Sequence, residues 1–302
     1  MNPEPPHIFT LTCNLLAERT LTFGHWSPGK TQRANAEFFQ VGGKGINVVK
    51  MLHRLGPPAT ALCFTGGPAG TECEDWLRSS GFRFKTFPTA IPTRAGTVVR
   101  GGGFPETTFL GLDVPLDAGA IRSCADFLDQ QAEGSILAVC GSVPGWGSPE
   151  FDILRDVLHH WPERGPLMVD TYGPPLAWLA NEAVTLLRVN RAELQSLYPD
   201  DREATTSDLL QATRERFGAL CWVVSDGPNP VWFMNDHDAP EAMQAPQVQE
   251  ISPTGSGDVM LACILHARYH RGMGWRDAVA GSLPYASANA AHPGVAEFPE
   301  PE

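Results

Sequence analysis

Two glycine-rich turns, each just before a helical pattern, hold the residues best suited to chemistry. The second of them in the chain runs from Ser252 to Asp258 (SPTGSGD) and leads into an apolar helical run. Small residues before a helix leave backbone N–H groups free, and the helix N-terminus adds about half a positive charge, so this turn can hold a phosphoryl group. Asp258 could then accept the proton of an attacking hydroxyl. The alternative is a tight turn whose aspartate is stabilised by the helix dipole.

The first turn is Val41-Gly42-Gly43-Lys44-Gly45-Ile46-Asn47. Its glycines allow the backbone to approach a ligand closely. Lys44 and Asn47 offer a cation and an amide for hydroxyls or a phosphate. The spacing matches neither the Walker A loop nor the GxGxxG dinucleotide motif. A glycine turn that only caps a helix is the alternative.

Short apolar runs alternate with amphipathic stretches along the chain. The apolar runs predict buried strands at 8–13, 59–64, 135–140, 166–170, 185–189 and 220–225. The amphipathic stretches predict helices at 45–55, 117–131, 150–160, 174–181 and 208–217, and another helix follows at 259–271. This alternation is typical of a parallel sheet with helices on both faces. Segments 20–41 and 93–110 have no helical period, and they predict antiparallel strands outside the main sheet.

The composition excludes several classes of protein. With 22 Lys and Arg against 34 Asp and Glu, the net charge is −12, which argues against a nucleic-acid binder and a polybasic membrane-surface protein. The apolar run at 259–265 is far shorter than the roughly 18–20 residues of a membrane span. The seven cysteines form no CxxC pair, so we expect reduced thiols. Because the first residues also lack a signal-peptide pattern, we predict a cytoplasmic protein.

As a pair, the two turns resemble the motifs of the PfkB, or ribokinase-like, carbohydrate kinase family. That family carries a GGKGxN motif in its first quarter and a GAGD-type motif near its end, matching 42–47 and 255–258. The chain is most similar to the phosphosugar branch, which includes 1-phosphofructokinase and tagatose-6-phosphate kinase. Further segments that look like those of the branch are the opening strand at 10–14, a TR pair at 93–94, a GSLPxG turn at 141–145, a DxxG segment at 170–173, and a PNxxE pair at 190 and 193.

The resemblance implies a single ribokinase-like α/β domain over 1–302. Its doubly wound, mostly parallel sheet would be flanked by helices, and a small β-sheet lid, in segments 17–41 and 92–111, would close over a sugar at the sheet's carboxyl edge. ATP and Mg²⁺ are the implied cofactors, and a sugar or sugar phosphate is the implied partner. The resemblance also allows a homodimer through the lid.

Each matching residue acquires an implied role. Asp258 corresponds to the catalytic base, and the N–H groups of Gly255, Ser256 and Gly257 correspond to the anion hole. The residues implied for the sugar site are Asn14, Glu18, Gly42, Gly43, Lys44 and Asn47. The cations proposed to grip a substrate phosphate are Arg94, Lys44 and, on the lid, Lys30. The residues implied for the Mg–ATP region are Asn190, Glu193 (reaching the metal through water), Arg188, Ser225 and Gly227.

Some positions depart from the family pattern. Glu18 stands where the family has a shorter aspartate, and Arg188 begins a segment that usually reads KPN. Pro228 and Pro230 lie in the loop after Gly227, where glycine is usual, and proline removes an N–H group. Ser252 replaces an acidic residue or asparagine six positions before the proposed base.

These observations predict ATP-dependent phosphorylation of a primary hydroxyl of a monosaccharide, most of all a hexose phosphate, with Asp258 as general base. One alternative is a kinase for an unphosphorylated sugar or a nucleoside, which would need no phosphate grip. Another is a catalytically degraded sugar-phosphate-binding protein, suggested by the departures; the intact glycine turn and Asp258 argue against it.

Overall fold

A computed structural model describes residues 5–301, in which thirteen strands form two separate sheets. In chain order the strands are β1 (Ile8–Thr12), β2 (Leu16–Phe23), β3 (Ala36–Gly42), β4 (Ala59–Thr65), β5 (Phe84–Pro88), β6 (Arg94–Gly101), β7 (Phe104–Leu110), β8 (Ile136–Cys140), β9 (Leu167–Asp170), β10 (Leu186–Asn190), β11 (Cys221–Ser225), β12 (Val231–Asn235) and β13 (Glu241–Met243). The helices described there are α1 (Lys44–Leu55), α2 (Gly67–Ser79), α3 (Ala118–Asp129), α4 (Asp152–His160), α5 (Pro174–Leu179), α6 (Arg191–Ser196), α7 (Thr206–Arg216), α8 (Ser256–Leu265) and α9 (Trp275–Ala290).

The larger sheet has nine strands in the order β13-β12-β11-β10-β9-β8-β1-β4-β5. The seven strands from β11 to β5 are parallel, and β12 and β13 extend one edge antiparallel. The six predicted strands are all present, each displaced by no more than one residue at either end. They are recognisable because strands such as β1 and β8 are buried along their whole length, and such strands read as continuous apolar runs.

Helices cover both faces of this sheet. One apolar core packs α1, α2, α8 and α9 against it, and the other packs α3 to α7. The helix predicted at 259–271 begins earlier, at Ser256, and passes into a π-helical turn, His266–His270. Ser256, Gly257 and Asp258 therefore all belong to the first turn of α8, where free N–H groups lie.

The four remaining strands form a second sheet, which we call the lid sheet, in the order β3-β2-β6-β7. The expectation of strands outside the main sheet is confirmed, but the expectation of antiparallel pairing is wrong at the centre, because β2 and β6 are parallel. Each of these two strands follows a strand of the main sheet, β1 or β5, and both leave the same carboxyl edge. The division into one domain with an inserted lid remains a prediction.

The seven cysteines are free and buried, as expected for thiols packed as small apolar groups. Burial raises the pKa of each thiol, for example Cys13 to about 12. Within residues 5–301, no helix is long and apolar enough to cross a membrane.

Candidate active site

A cleft at the carboxyl edge of the main sheet divides into two adjoining cavities. The larger, of about 440 Å³, lies between the first turn of α8 and the lid sheet, and we call it the acceptor cavity. The smaller, of about 340 Å³, has mostly apolar walls, and we call it the donor cavity. Arg188, Asn190, Pro253 and Gly257 line both. Ligands of open α/β sheets bind at this edge, so the position suits a substrate cleft.

Asp258 lies in the wall of the acceptor cavity with only 5% of its surface exposed. Its Oδ2 accepts a hydrogen bond of 2.7 Å from Asn47 Nδ2, which joins the two glycine-rich turns. Burial, reinforced by the negative charge of Asp170, raises the pKa of Asp258 to about 7. A carboxyl group with that pKa can take up and release a proton near neutrality.

Asp170, at the end of β9, anchors a buried group of charges beside Asp258. Lys44 Nζ lies 2.6 Å from its Oδ1 and Arg188 Nη1 lies 3.3 Å from its Oδ2. Burial opposes ionisation of Asp170, but the charges of Lys44 and Arg188 outweigh it and hold the pKa of Asp170 below its usual value. Lys44 also lies 3.3 Å from Glu193 Oε1. Its charge is thus shared between two carboxylates.

The turn before α8 requires its glycines. Gly255 has φ +77°, and a Cβ there would lie 2.4 Å from Val295 Cγ1. A Cβ on Gly257 would lie only 2.1 Å from Arg188 Nη1. The guanidinium of Arg188, which also donates to Ser225 Oγ at 2.7 Å, therefore rests against the first turn of α8. It adds a cation beside the predicted anion hole, in which the N–H of Ser256 already donates to Pro253 O at 3.2 Å.

Asn190 and Glu193 form a capping box at the start of α6. Asn190 Oδ1 accepts from the N–H of Glu193, and Glu193 Oε2 accepts from the N–H of Asn190, each at 2.8 Å. Within residues 5–301 there is no group of three acidic, His or Cys side chains that could enclose a metal. Mg²⁺ usually binds one or two carboxylates together with nucleotide phosphates and water. Glu193, at the cleft, fits that mode of binding through water.

The far end of the acceptor cavity is polar. Asn14 Nδ2 donates to Ser142 Oγ and to Asp113 Oδ1, both at 2.8 Å. Arg94 Nη1 lies 2.6 Å from the same Asp113 oxygen. Arg94, the predicted ligand of a substrate phosphate, is therefore in contact with a carboxylate of the chain itself.

Glu18, on β2, is held by a short chain of hydrogen bonds. Gln40 Nε2 donates to Glu18 Oε1 at 2.5 Å, and Gln40 Oε1 accepts from Lys50 Nζ at 3.1 Å. Burial lowers the pKa of Lys50, although Glu297 at 3.5 Å opposes this. The glutamate that replaces the family's aspartate is thus fixed in the cavity wall by two residues that its own motif does not include.

Three buried polar atoms around the acceptor cavity have no hydrogen-bond partner within the described part of the chain: Thr12 Oγ1, Arg94 Nε and Arg188 Nε. Unsatisfied buried polar groups are costly. All three belong to residues that line the acceptor cavity, which adds to its polar character.

The structure brings most of the residues proposed from the sequence into the cleft. Those lining the acceptor cavity are Asn14, Glu18, Gly42, Gly43, Lys44, Asn47, Arg94, Arg188, Asn190, Glu193, Gly255, Gly257 and Asp258. Ser225, Gly227 and Ser256 line the donor cavity. Lys30 is placed elsewhere, exposed on the loop between β2 and β3, and lines neither cavity. Lys30 as a phosphate ligand therefore stays a prediction that the lining of the two cavities does not support.

Sequence reasoning missed four polar residues that line the cleft, Gln40, Arg100, Glu106 and Ser142. It also missed two carboxylates that contact the lining residues, Asp113 and Asp170. Ser142 and Asp170 lie inside matched motifs, and that position could have identified them. Glu106, on β7, pairs with Arg100 at 2.5 Å and accepts a hydrogen bond of 3.2 Å from Ser252 Oγ. No local pattern marks Glu106 or Asp113, because only the fold brings them to the cavity.

Comparison with known proteins shows what the chain is similar to. The family model for the pfkB family carbohydrate kinases matches residues 12–302. A 1-phosphofructokinase of Borreliella burgdorferi is 25% identical over 293 residues, covering 96% of this chain and 94% of that protein. An ATP-dependent 6-phosphofructokinase isozyme 2 of Mycobacterium tuberculosis is 29% identical, covering 86% and 77%. The crystal structure of Escherichia coli phosphofructokinase-2 in complex with fructose-6-phosphate superimposes with a TM-score of 0.84 at 22% identity, covering 94% of each chain.

These matches confirm the predicted ribokinase-like α/β fold, with its mostly parallel sheet and four-stranded lid sheet. The match of the family model extends over nearly the whole chain and includes both glycine-rich turns. The chain therefore belongs to the pfkB family of carbohydrate kinases, enzymes that transfer a phosphoryl group to an alcohol.

Proposed function

We propose that the protein transfers the γ-phosphoryl group of ATP to a primary hydroxyl of a monosaccharide that already carries a phosphate, most of all a hexose phosphate. The observation that carries this proposal is Asp258. Its carboxyl group is buried in the acceptor cavity, is oriented by Asn47, and has a pKa of about 7. It stands next to Gly257, which lines both cavities.

In the proposed arrangement, the sugar fills the acceptor cavity and ATP fills the donor cavity. The apolar walls of the donor cavity, from Val231, Val248 and Met260, suit a nucleobase. The nucleotide phosphates would then lie along the first turn of α8, against the free N–H groups and the guanidinium of Arg188. Pro228, in the wall of this cavity, has no N–H group to offer a nucleotide, so the affinity for ATP is a quantity to measure.

The reaction then follows from the positions of the groups. Asp258 accepts the proton of the sugar hydroxyl while the hydroxyl oxygen forms a bond to the γ-phosphorus and the bond to ADP breaks. The N–H groups of Gly255, Ser256 and Gly257, together with Arg188, stabilise the charge of the transferring group, because donors already in place need no reorganisation. Mg²⁺, when bound to the nucleotide phosphates, would supply further positive charge, and Glu193 and Asn190 are the residues placed to hold its water.

The phosphate of the acceptor is assigned to the polar end of the acceptor cavity. Arg94, Ser142 and Asn14 converge there, and arginine is suited to bidentate binding of phosphate. The relatives named as 1-phosphofructokinase and 6-phosphofructokinase support a phosphorylated acceptor.

A second candidate is a kinase for an unphosphorylated sugar or a nucleoside. One observation favours it: each of the four cations that line the acceptor cavity, namely Lys44, Arg94, Arg100 and Arg188, already has a carboxylate partner. Arg94→Ala separates the two candidates. An increase in KM of about tenfold or more for the best acceptor supports a phosphorylated substrate, whereas unchanged kinetics support an unphosphorylated one.

An ADP-release screen over hexoses, hexose phosphates and nucleosides tests the proposal as a whole. We expect turnover with a hexose phosphate in the wild type and its loss in Asp258→Asn, which keeps the shape of the side chain but removes the base. Binding of a sugar phosphate with no ADP release from any acceptor would instead establish the degraded binding protein. A thermal-shift series with ATP and Mg²⁺ measures the donor site independently.

Two further proposals concern the setting of the enzyme. A cytoplasmic location is supported by seven buried, unpaired thiols. A homodimer through the lid sheet is supported by exposed apolar side chains on its strands, Phe38, Phe109 and Leu110. Sedimentation of the wild type and of Phe109→Glu tests the dimer, which the charged side chain should weaken.

A further inference from the structure

A carboxylate already contacts the residues at the end of the acceptor cavity nearest the lid sheet. Asp113 Oδ1 lies 2.6 Å from Arg94 Nη1 and accepts a hydrogen bond of 2.8 Å from Asn14 Nδ2. Asn14 also binds Ser142, which completes the polar group. Each of the three residues that would hold a substrate phosphate is thus tied, directly or through Asn14, to one carboxylate of the chain.

We propose that Asp113 occupies the subsite of the acceptor's phosphate and must be displaced by that phosphate, so that Asp113 determines which acceptors bind. This inference rests on the proposed assignment of this end of the cavity to a phosphorylated acceptor. The ligand class is a phosphate monoester, and the competing group belongs to the protein itself.

Asp113 is suited to leave. It lies in the irregular stretch between β7 and α3, next to Leu112, and about half of its side chain (53%) is exposed. Its hydrogen bonds to Arg94 and Asn14 use one oxygen, Oδ1. Water can therefore take the place of Arg94 as the partner of this carboxylate.

Arg94 is not suited to remain without an anion. Its side chain is only 13% exposed, and its Nε is buried without a partner within the described residues. A buried guanidinium that loses its counter-charge is strongly destabilised. Exchange of one anion for another avoids that state, whereas simple departure of Asp113 does not.

A phosphate can replace Asp113 and bind the same donors more tightly. Departure of Asp113 frees one N–H of Arg94 and one of Asn14, and the Ser142 hydroxyl, which accepts from Asn14, keeps its own hydrogen for donation. A phosphate has three oxygens and up to two charges for these donors. Both anions cannot share the guanidinium, since like charges a few ångströms apart repel.

This exchange discriminates between acceptors. A phosphorylated sugar brings the anion that displaces Asp113. An unphosphorylated sugar brings none, so it meets a subsite that is already filled. The competition also weakens the binding of every phosphorylated acceptor relative to a chain without the carboxylate.

Asp113→Asn tests the inference, because the amide keeps the size of the side chain and removes its charge. Asp75→Asn is the matched control: Asp75 forms the same kind of pair, with Arg78 Nη1 at 2.6 Å, on α2. Inorganic phosphate is titrated by thermal shift at constant ionic strength, with sodium chloride as reference. We expect the apparent Kd for phosphate to fall about 5- to 10-fold in Asp113→Asn and to stay unchanged in Asp75→Asn.

Inorganic phosphate can also bind the first turn of α8, so the same titration is made in an Arg94→Gln background. The gain from Asp113→Asn should vanish there. Persistence of the gain, or its absence in the first place, overturns the inference. Loss of phosphate binding in both Asp113→Asn and Asp113→Ala overturns it too, because Asp113 would then be holding Arg94 in place rather than competing.

The titration needs no turnover, so it separates this inference from the proposed function. Tighter phosphate binding by Asp113→Asn without ADP release from any sugar phosphate leaves the inference standing and refutes the proposed function. Turnover of a hexose phosphate with no change of KM or phosphate affinity in Asp113→Asn refutes the inference alone.

Discussion

At the inner end of the acceptor cavity, Asp170 is fully buried between Lys44 and Arg188, whereas at the end near the lid sheet half of Asp113 is exposed beside Arg94. Both are pairs of a carboxylate and a cation at 2.6 Å. They differ in how much water reaches them. Water can replace a partner of the outer pair but not of the inner one.

This difference indicates which end of the acceptor cavity is rigid. A buried charge that loses its partner costs several kcal/mol, so the inner group must keep one geometry, as groups that stabilise a transition state should. A pair whose carboxylate is half-exposed costs less to break, because water can take the place of the carboxylate, so it can be exchanged for a ligand. The inner end is therefore expected to set the rate, and the outer end to set the choice of substrate.

The largest expected effect comes from Asp258→Asn. Loss of a general base typically lowers the rate by 10²- to 10⁴-fold, and we expect kcat to fall about 10³-fold. KM should change little, because the amide can still occupy the site. Initial rates of ADP release measure this, with circular dichroism as the control for folding. A variant that keeps a tenth of the wild-type kcat would exclude Asp258 as the base.

Asp170→Asn should destabilise the protein more than any change at the outer end. It leaves Lys44 and Arg188 without their shared counter-charge, which corresponds to about 3–5 kcal/mol in the free energy of unfolding. The matched change Asp113→Asn should cost less, about 1–2 kcal/mol, because water reaches the half-exposed Asp113 although Arg94 is mostly buried. Denaturant unfolding of the two variants gives the comparison, and equal losses would show that burial does not distinguish the two ends.

The pH dependence should follow Asp258. Since its folded pKa is raised to about 7, the base is ionised only above that pH, and kcat/KM should fall about tenfold per pH unit below it. The sign for stability is opposite: the wild type loses stability as pH rises from about 4 to about 7, because the folded state holds the proton more tightly than the unfolded chain. Asp258→Asn lacks this loss. Over the same pH range, the free energy of unfolding of Asp258→Asn should therefore rise relative to that of the wild type. A constant difference between the two free energies would argue against a raised pKa of Asp258.

The smallest effect is expected for Glu106→Gln in the lid sheet. Its pair with Arg100 is partly exposed, so the free energy of unfolding should change by less than about 1 kcal/mol. Chemical denaturation is again the measurement. A loss near that of Asp170→Asn would mean that the lid sheet, too, contains a rigid charge group.

The sequence predicted six of the nine strands of the main sheet, because β1, β4 and β8 to β11 are short and mostly apolar. It did not predict β5, β12 and β13, which are exposed in part. It also predicted the two glycine-rich turns that carry the site residues. It could not predict that Asn47 donates to Asp258, because the two residues are 211 positions apart and only the fold brings them together. The parallel pairing of β2 and β6 had no local signal either, since it depends on both strands leaving the same edge. Asp113 could not be predicted for the same reason, because nothing in the neighbouring sequence distinguishes it from an ordinary loop aspartate.

The seven cysteines offer a way to follow the unfolding of the protein. They are distributed over both cores, just after β1, on β4, β8 and β11, and on helices of both faces, and the thiols are buried and free. A thiol-reactive dye should therefore label the folded chain slowly and the unfolded chain at once, because only the exposed thiolate reacts. Since the sites span both faces of the sheet, peptide mapping of the labels would report which layer opens first, without any engineered probe.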